Sequence, residues 1–93
     1  MIALNIRTTP SFDKAVKKLH ARAKKTVDDA VHKIVAKPTI GEAKKGDLLG
    51  VSVYKFKINK QEILLSYSVG RDGLLLIALG SHENFYRDIK RLL

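Results

Sequence analysis

The stretch Tyr54-Lys55-Phe56-Lys57-Ile58 decides how this chain folds and where its charge lies. It alternates apolar with basic side chains, and successive side chains of a β-strand point to opposite faces of a sheet. Tyr54, Phe56 and Ile58 are therefore expected to face a core. Lys55 and Lys57 then stand side by side on the other face, where they could hold a phosphate group. The alternative is a solvated strand face with no ligand.

Two turn sequences that follow this strand extend it into an antiparallel meander. Asn59-Lys60 and Gly70-Arg71-Asp72-Gly73 supply the turns. The run from Leu74 to Leu79 is apolar on both faces, which predicts a strand in the interior of the sheet. The three strands of the meander are predicted at about 51–58, 62–69 and 73–80.

The N-terminal part of the chain predicts a short strand followed by a helical hairpin. Ile2, Leu4 and Ile6 alternate with more polar residues, and Thr9-Pro10 is a typical helix start, with threonine as N-cap and proline at the first helical position. Apolar residues then recur at spacings of three and four, which indicates one buried helical face. They are Phe12, Val16, Leu19, Ala23, Val27, Val31, Ile34 and Val35.

Two breaks divide this region. The polar junction Lys24-Lys25-Thr26 predicts a second helix with Thr26 as its N-cap and Asp28 and Asp29 in its first turn, although one long helix is the alternative. Pro38 is expected to end the helical region, and residues 38–50 to form a loop. Glu83 to Leu93 predicts a final helix.

The order of these elements predicts a single α+β domain over residues 1–93. An N-terminal strand, a helical hairpin, a three-stranded antiparallel meander and a C-terminal helix follow one another as β-α-α-β-β-β-α, with the helices on one sheet face. A chain of 93 residues is long enough for one compact core but not for two.

The composition limits the cellular compartment and the classes of partner that are expected. The chain has 18 Lys plus Arg against 9 Asp plus Glu, a net charge of +9, and no cysteine. The excess of positive charge favours nucleic acid, an anionic membrane surface or an acidic protein as partner. The lack of cysteine excludes a disulfide scaffold, a thiolate metal site and a cysteine nucleophile. With no signal-peptide pattern and no apolar run long enough to span a membrane, we expect a cytoplasmic protein.

A second candidate site begins at Gly80-Ser81, where the chain leaves the apolar strand. His82 and Tyr86 follow, four residues apart, and on a helix they would share one face. Histidine is suited to proton transfer near pH 7, and tyrosine can stack on a base or bind a phosphate. Alternatively, His82 caps the helix and Tyr86 packs on the sheet. His20 and His32 have no partner at ligand spacing, so we expect no metal site and no cofactor.

Together these motifs resemble the RelE/ParE superfamily of bacterial type II toxins over nearly the whole chain. The resemblance is carried by five segments: Ala36-Lys37-Pro38, Leu48-Leu49-Gly50, Val53 to Ile58, Leu65-Ser66-Tyr67, and the close from Ala78 to Tyr86, which looks like a particular ParE-like subgroup.

Members of the RelE branch cut mRNA in the ribosomal A site without a metal, using the 2′-hydroxyl of the RNA and leaving a 2′,3′-cyclic phosphate. By resemblance, Lys55 and Lys57 would hold the phosphate, with one of them as candidate base, His82 as candidate acid, and Tyr86 as stacking or proton-donating partner. The basic residues that would add RNA contacts are Lys44, Lys45, Lys60, Arg71 and Arg87.

One departure from the pattern keeps other functions open. RelE-type toxins usually carry an arginine at the position occupied here by Leu64, so a cation is missing unless Lys60, Arg71 or Arg87 replaces it. ParE-branch members poison DNA gyrase instead, and a non-catalytic nucleic-acid-binding protein is a third reading. Either toxin would have a cognate antitoxin, expected to be an acidic or amphipathic segment that covers Lys55 and Lys57.

Overall fold

A computed structural model of the chain describes residues 5–44, 46, 50–71 and 73–81. It forms two helices packed on one five-stranded sheet, in the strand order β1-β5-β4-β3-β2. The elements, in chain order, are β1 (Asn5–Thr8), α1 (Pro10–Lys17), α2 (Ala21–Ala36), a 3-10 turn (Pro38–Ile40), β2 (Glu42–Ala43), β3 (Ser52–Ile58), β4 (Gln61–Val69) and β5 (Gly73–Ser81).

The predicted α+β class and the meander are confirmed. Strands β3, β4 and β5 pair antiparallel in sequence, and β5 lies inside the sheet because β1 pairs with it in parallel on its other side. At the β3–β4 turn, Asn59 and Lys60 have positive φ angles of 50° and 70°. This is the backbone of a two-residue hairpin turn of type I′. The predicted C-terminal helix, Glu83 to Leu93, lies outside the described residues.

The start of α1 is as predicted, and it also ties the helix to the sheet. The Thr9 Oγ1 accepts a hydrogen bond of 3.1 Å from the Phe12 amide, and Pro10 is the first helical residue. The same hydroxyl donates to the Ile77 carbonyl oxygen at 2.5 Å. One side chain therefore caps α1 and fixes it to β5.

The predicted break between the helices was wrong by about six residues. Helix α1 ends at Lys17 and α2 begins at Ala21, so Lys24-Lys25-Thr26 lies inside α2. Thr26 caps nothing; its hydroxyl donates to the Arg22 carbonyl oxygen one turn earlier, at 3.1 Å. The run of polar residues marks the solvent-facing side of a continuous helix, which ends at Ala36, just before Pro38, as expected.

The loop predicted for residues 38–50 contains structure as well. A 3-10 turn is followed by the two-residue strand β2, in which Glu42 pairs with Val53 and Ala43 with Ser52. Tyr67, which is fully buried on β4, fixes this segment: its hydroxyl donates to the Pro38 carbonyl oxygen at 2.6 Å and accepts from the Gly41 amide at 2.9 Å. The phenol thus joins the end of the helical hairpin to the sheet.

The two faces of the sheet bury different sets of side chains. On the helix face, the face against α1 and α2, residues such as Leu65, Tyr67 and Leu76 pack with Phe12 and Ile34. On the other face, which carries Lys55 and Lys57 and is called here the lysine face, a second apolar group is buried. Its members are Val51, Val53, Leu64, Ile77 and Ala78.

A β-bulge explains how two neighbours of β5 reach the same apolar group. Ser66 pairs with Ala78 but Tyr67 pairs with Leu76, so Ile77 is an extra residue in β5. A bulge of this kind turns two successive side chains toward one face. Ile77 and Ala78 therefore both lie on the lysine face.

Candidate functional site

Strand β3 presents the two lysines as its alternation predicts. Tyr54, Phe56 and Ile58 pack against the core of the helix face, while Lys55 and Lys57 are exposed on the lysine face. The rings of Tyr54 and Phe56 stack with their centroids 5.9 Å apart, which holds this part of the strand against the core. The Cα atoms of residues two apart on a strand are separated by about 6.6 Å, so both ammonium groups can contact one phosphate.

The neighbours of the lysines across the sheet are known from the register. Lys55 lies opposite Leu64, which in turn lies opposite Gly80, and Lys57 lies opposite Glu62. In the part of the chain that the structure describes, the ion pairs are Lys44 with Glu42 and His32 with Asp28, so neither Lys55 nor Lys57 forms one. Two free cations on one strand face suit an anionic ligand.

Leu64, opposite Lys55, adds a buried apolar side chain beside the lysines and no charge. Its side chain is 0% exposed and packs with Val53, Ile77 and Ala78. A charged side chain at such a position would have to be desolvated without a partner. The side chain opposite Lys55 therefore belongs to the core and contributes no charge to the site.

The remaining basic candidates lie at different ends of the sheet. Lys60 is in the β3–β4 turn, close in sequence to Lys57, whereas Arg71 is in the β4–β5 turn at the opposite end of β4. The nine residues of β4 span roughly 27 Å. Arg71 therefore cannot stand in for the missing cation beside Lys55, and Lys60 can only do so from the turn.

Lys44 is also remote from the pair. It follows β2, its amide donates to the Val51 carbonyl oxygen at 2.9 Å, and its Nζ lies 3.3 Å from the Glu42 carboxylate. It therefore lies near the start of β3, away from Lys57. The other predicted site residues, Lys45, His82, Tyr86 and Arg87, lie outside the described residues.

A basic residue on the edge strand was not among the predicted site residues. Arg7 of β1 pairs with Leu75, which pairs with Ser68, and it lines a cavity of about 230 Å³ together with Arg71. Alternation along β1 predicts that Arg7 and Ile6 point to opposite faces of the sheet. Nothing local in the sequence indicates that Arg7 pairs in parallel with Leu75, 68 residues away. Among the described residues, no group of His, Asp or Glu could hold a metal ion.

Comparison with known proteins assigns the chain to a family. A family described as "ParE-like toxin of type II bacterial toxin-antitoxin system" matches residues 6–90. The chain therefore belongs to the ParE-like toxins of type II toxin–antitoxin systems. No curated protein sequence is similar enough to the chain to be matched.

Solved structures share the fold at low sequence identity. The intact Escherichia coli RelBE toxin–antitoxin complex contains a chain 19% identical, with a TM-score of 0.69, and the match covers 87% of this chain and 99% of that one. A chain of the RelBE2 toxin–antitoxin complex of Mycobacterium tuberculosis is 15% identical with a TM-score of 0.72, and the match covers 87% of this chain and 100% of that one. A chain of the YoeB dimer of Staphylococcus aureus is 21% identical with a TM-score of 0.68, and the match covers 87% of this chain and 99% of that one. These likenesses confirm the RelE-like fold.

Proposed function

We propose that this toxin is a ribosome-dependent endoribonuclease that cuts mRNA in the A site. The observation that carries the proposal is the pair Lys55 and Lys57, exposed on one face of β3 and without an ion-pair partner among the described residues. Cations beside a scissile phosphate stabilise the negative charge that develops in the transition state. The structural likeness to RelE and YoeB chains is in keeping with this activity.

The proposed reaction needs only the RNA and the side chains of the chain. A base removes the proton of the 2′-hydroxyl, the 2′ oxygen attacks the phosphorus, and the bond from phosphorus to the 5′ oxygen breaks. The products are a 2′,3′-cyclic phosphate and a 5′-hydroxyl, which takes its proton from an acid. Lys55 and Lys57 hold the phosphate and one of them is the candidate base, with His82 as acid and Tyr86 as stacking or proton-donating partner.

A translation-coupled cleavage assay tests the proposal. The purified toxin should cut a reporter mRNA only when ribosomes are present, and the new ends should be a cyclic phosphate and a 5′-hydroxyl. Lys55→Ala or Lys57→Ala should lower the cleavage rate by about 10²- to 10³-fold, as the loss of one transition-state contact does. Lys24→Ala is the matched control, because it removes the same charge from the exposed side of α2. If both strand variants still cleave mRNA and arrest growth, the site is assigned wrongly.

The burial of Leu64 favours a second candidate, inhibition of DNA gyrase. Without a cation at this position the lysine face could bind a protein target and catalyse nothing. A supercoiling assay with purified gyrase and toxin separates the two: loss of supercoiling together with intact mRNA would favour the gyrase inhibitor. Salt-sensitive RNA binding with neither effect would favour a non-catalytic binding protein.

We also propose that a cognate antitoxin covers the lysine pair. The RelBE structures with the same fold are toxin–antitoxin complexes. An acidic or amphipathic segment of the antitoxin would neutralise Lys55 and Lys57 and block access of a phosphate. Co-purification with the product of the adjacent reading frame is the test, and absence of a complex in low salt would contradict it.

A further inference from the structure

A concave pocket lies at the end of the sheet where β1, β5 and the β4–β5 turn meet. It has a volume of about 230 Å³, and its polar lining comes from three parts of the chain: Asn5 and Arg7 of β1, Ser68 of β4 and Arg71 of the turn. We call it the arginine pocket. It is smaller than typical pockets for drug-sized ligands, so it suits one small group, such as a phosphate with its attached sugar.

Two glycines keep the pocket open and its walls close together. The Gly70 amide donates to the Gly73 carbonyl oxygen at 2.8 Å, which closes the β4–β5 turn under Arg71. A Cβ at Gly73 would collide with the Asn5 carbonyl oxygen, so only glycine lets β1 pair so closely with β5 here. Asn5 and Arg7 are two residues apart on β1 and thus point to the same side.

The charge of the pocket has no counterion in the described part of the chain. The described residues of its lining include two guanidinium groups and no carboxylate, and neither Arg7 nor Arg71 forms an ion pair with a described residue. Ser68 and Asn5 add neutral donors. Two arginines that line one pocket, with neutral donors beside them, suit a phosphate, because each guanidinium can bind two of its oxygens.

We propose that the arginine pocket binds a phosphodiester of an RNA backbone, at a site separate from the Lys55–Lys57 pair. The inference rests on the proposed function insofar as the partner is RNA. Arginine clusters also recognise acidic protein segments, so an acidic segment is the competing occupant that the test below must separate from RNA. The phosphodiester could come from the mRNA beside the cut or from ribosomal RNA, and the chemistry is the same for both.

The register separates the two basic sites. Arg7, Leu75 and Ser68 form one row across the lysine face, and Lys55, Leu64 and Gly80 form another. The two rows are four residues apart along β4. Arg7 on β1 and Lys55 on β3 are also separated by three strand spacings, so the distance between them is about 20 Å. No single phosphate can contact both, so the pocket would orient the RNA without touching the bond that breaks.

Measurement of RNA binding to the purified toxin tests the inference without any cleavage. A short single-stranded RNA whose 2′-hydroxyls are methylated, so that none can attack the phosphorus, is titrated into the full chain at several salt concentrations. Arg7→Gln and Arg71→Gln should each lower affinity about tenfold and reduce the slope of log K against log salt by about 0.7. Arg22→Gln, which removes the same charge from an exposed position of α2, should change both quantities much less.

Further variants and measurements identify the source of the phosphate and detect misfolding. Arg7→Lys should recover part of the affinity, whereas a misfolded Arg7→Gln would show a lowered unfolding midpoint. Losses confined to ribosome binding, with short RNA unaffected, would still support the pocket and would assign it to ribosomal RNA. Equal effects of all three glutamine variants would overturn the inference, as would a loss of antitoxin affinity with RNA and ribosome binding intact. A toxin that binds RNA through the pocket but never cuts it would remove only the proposed nuclease.

Discussion

At the scale of single residues, the chemistry of β3 follows directly from the sequence, but its surroundings do not. The alternation from Tyr54 to Ile58 correctly predicts which side chains face the core and which face outward. That Leu64 is fully buried opposite Lys55 depends on the bulge in β5 and on packing across three strands. Period and composition carry no information on such contacts.

Leu64 should be among the most sensitive positions of the lysine face. Leu64→Ala leaves a cavity in a group of side chains with almost no exposure, and we expect the free energy of unfolding to fall by about 2–5 kcal/mol. Urea denaturation measures the change. Val69→Ala, on the same strand but 50% exposed, should alter stability by no more than about 0.5 kcal/mol. Equal effects of the two would mean that this face is not packed as described.

Tyr67 should make the protein sensitive to alkaline pH. Burial raises the pKa of the Tyr67 phenol above its ordinary value of 10.0, while hydrogen bonds from the Gly41 amide and with Ser52 lower it by less. The unfolded chain therefore loses this proton at a lower pH than the folded chain does. The stability that the phenol contributes is fully present below pH 10 and is lost as the pH rises through the folded-state pKa.

The variant Tyr67→Phe isolates this contribution. At neutral pH it should cost about 1–3 kcal/mol, because the Gly41 amide and the Pro38 carbonyl group lose their partner. Above pH 10 its unfolding free energy should fall less steeply than that of the parent chain. Parallel pH profiles for the two proteins would show that Tyr67 does not titrate with folding.

At the scale of elements, local signals predict well and long-range pairing does not. The β3–β4 hairpin is predicted because two residues set its turn, and α1 because Thr9-Pro10 sets its start. The break before α2 gives no such signal, since His20 at its N-cap makes no side-chain cap bond. Strand β2 is two residues long and exists through its pairing with β3, so no pattern could reveal it.

The contact between β1 and β5 offers a test with a control in the same turn. Gly73→Ala would drive a methyl group into the Asn5 backbone, and we expect a loss of about 1–3 kcal/mol with faster amide exchange in β1. Gly70→Ala should be nearly neutral, because its Cβ would meet only the Gly73 carbonyl oxygen at 3.9 Å. Denaturation and hydrogen exchange on both variants decide the matter, and a neutral Gly73→Ala would contradict the close pairing.

At the scale of the whole molecule, charge is the property that the sequence predicts best. A net charge of +9 favours an anionic partner, and the structure separates two sets of basic residues on the lysine face, the Lys55–Lys57 pair and the arginine pocket. Composition cannot give this division, because it depends on strand order. No helix of the described residues is long and apolar enough to cross a membrane.

The complex with the antitoxin should therefore weaken with salt. Added salt screens the attraction between a basic toxin and an acidic segment, so we expect the dissociation constant to rise steadily with ionic strength. The double variant Lys55→Ala/Lys57→Ala should show a smaller rise, while Lys24→Ala should match the parent. Calorimetric titration at low and high salt measures both, and a dissociation constant independent of salt would exclude an electrostatic interface.

The pairing of β1 with β5 also bears on how a cell survives making such a protein. The first described strand has no partner until residues 73–76 have been synthesised, and the hydroxyl that caps α1 waits for the Ile77 carbonyl oxygen. Contacts between such distant parts of a chain form late in folding. A nascent chain whose residues 73–77 are still inside the ribosome therefore lacks the β1–β5 pair, and with it the arginine pocket. We therefore expect an antitoxin made beside the toxin to meet it at the moment when the sheet closes and the arginine pocket first forms.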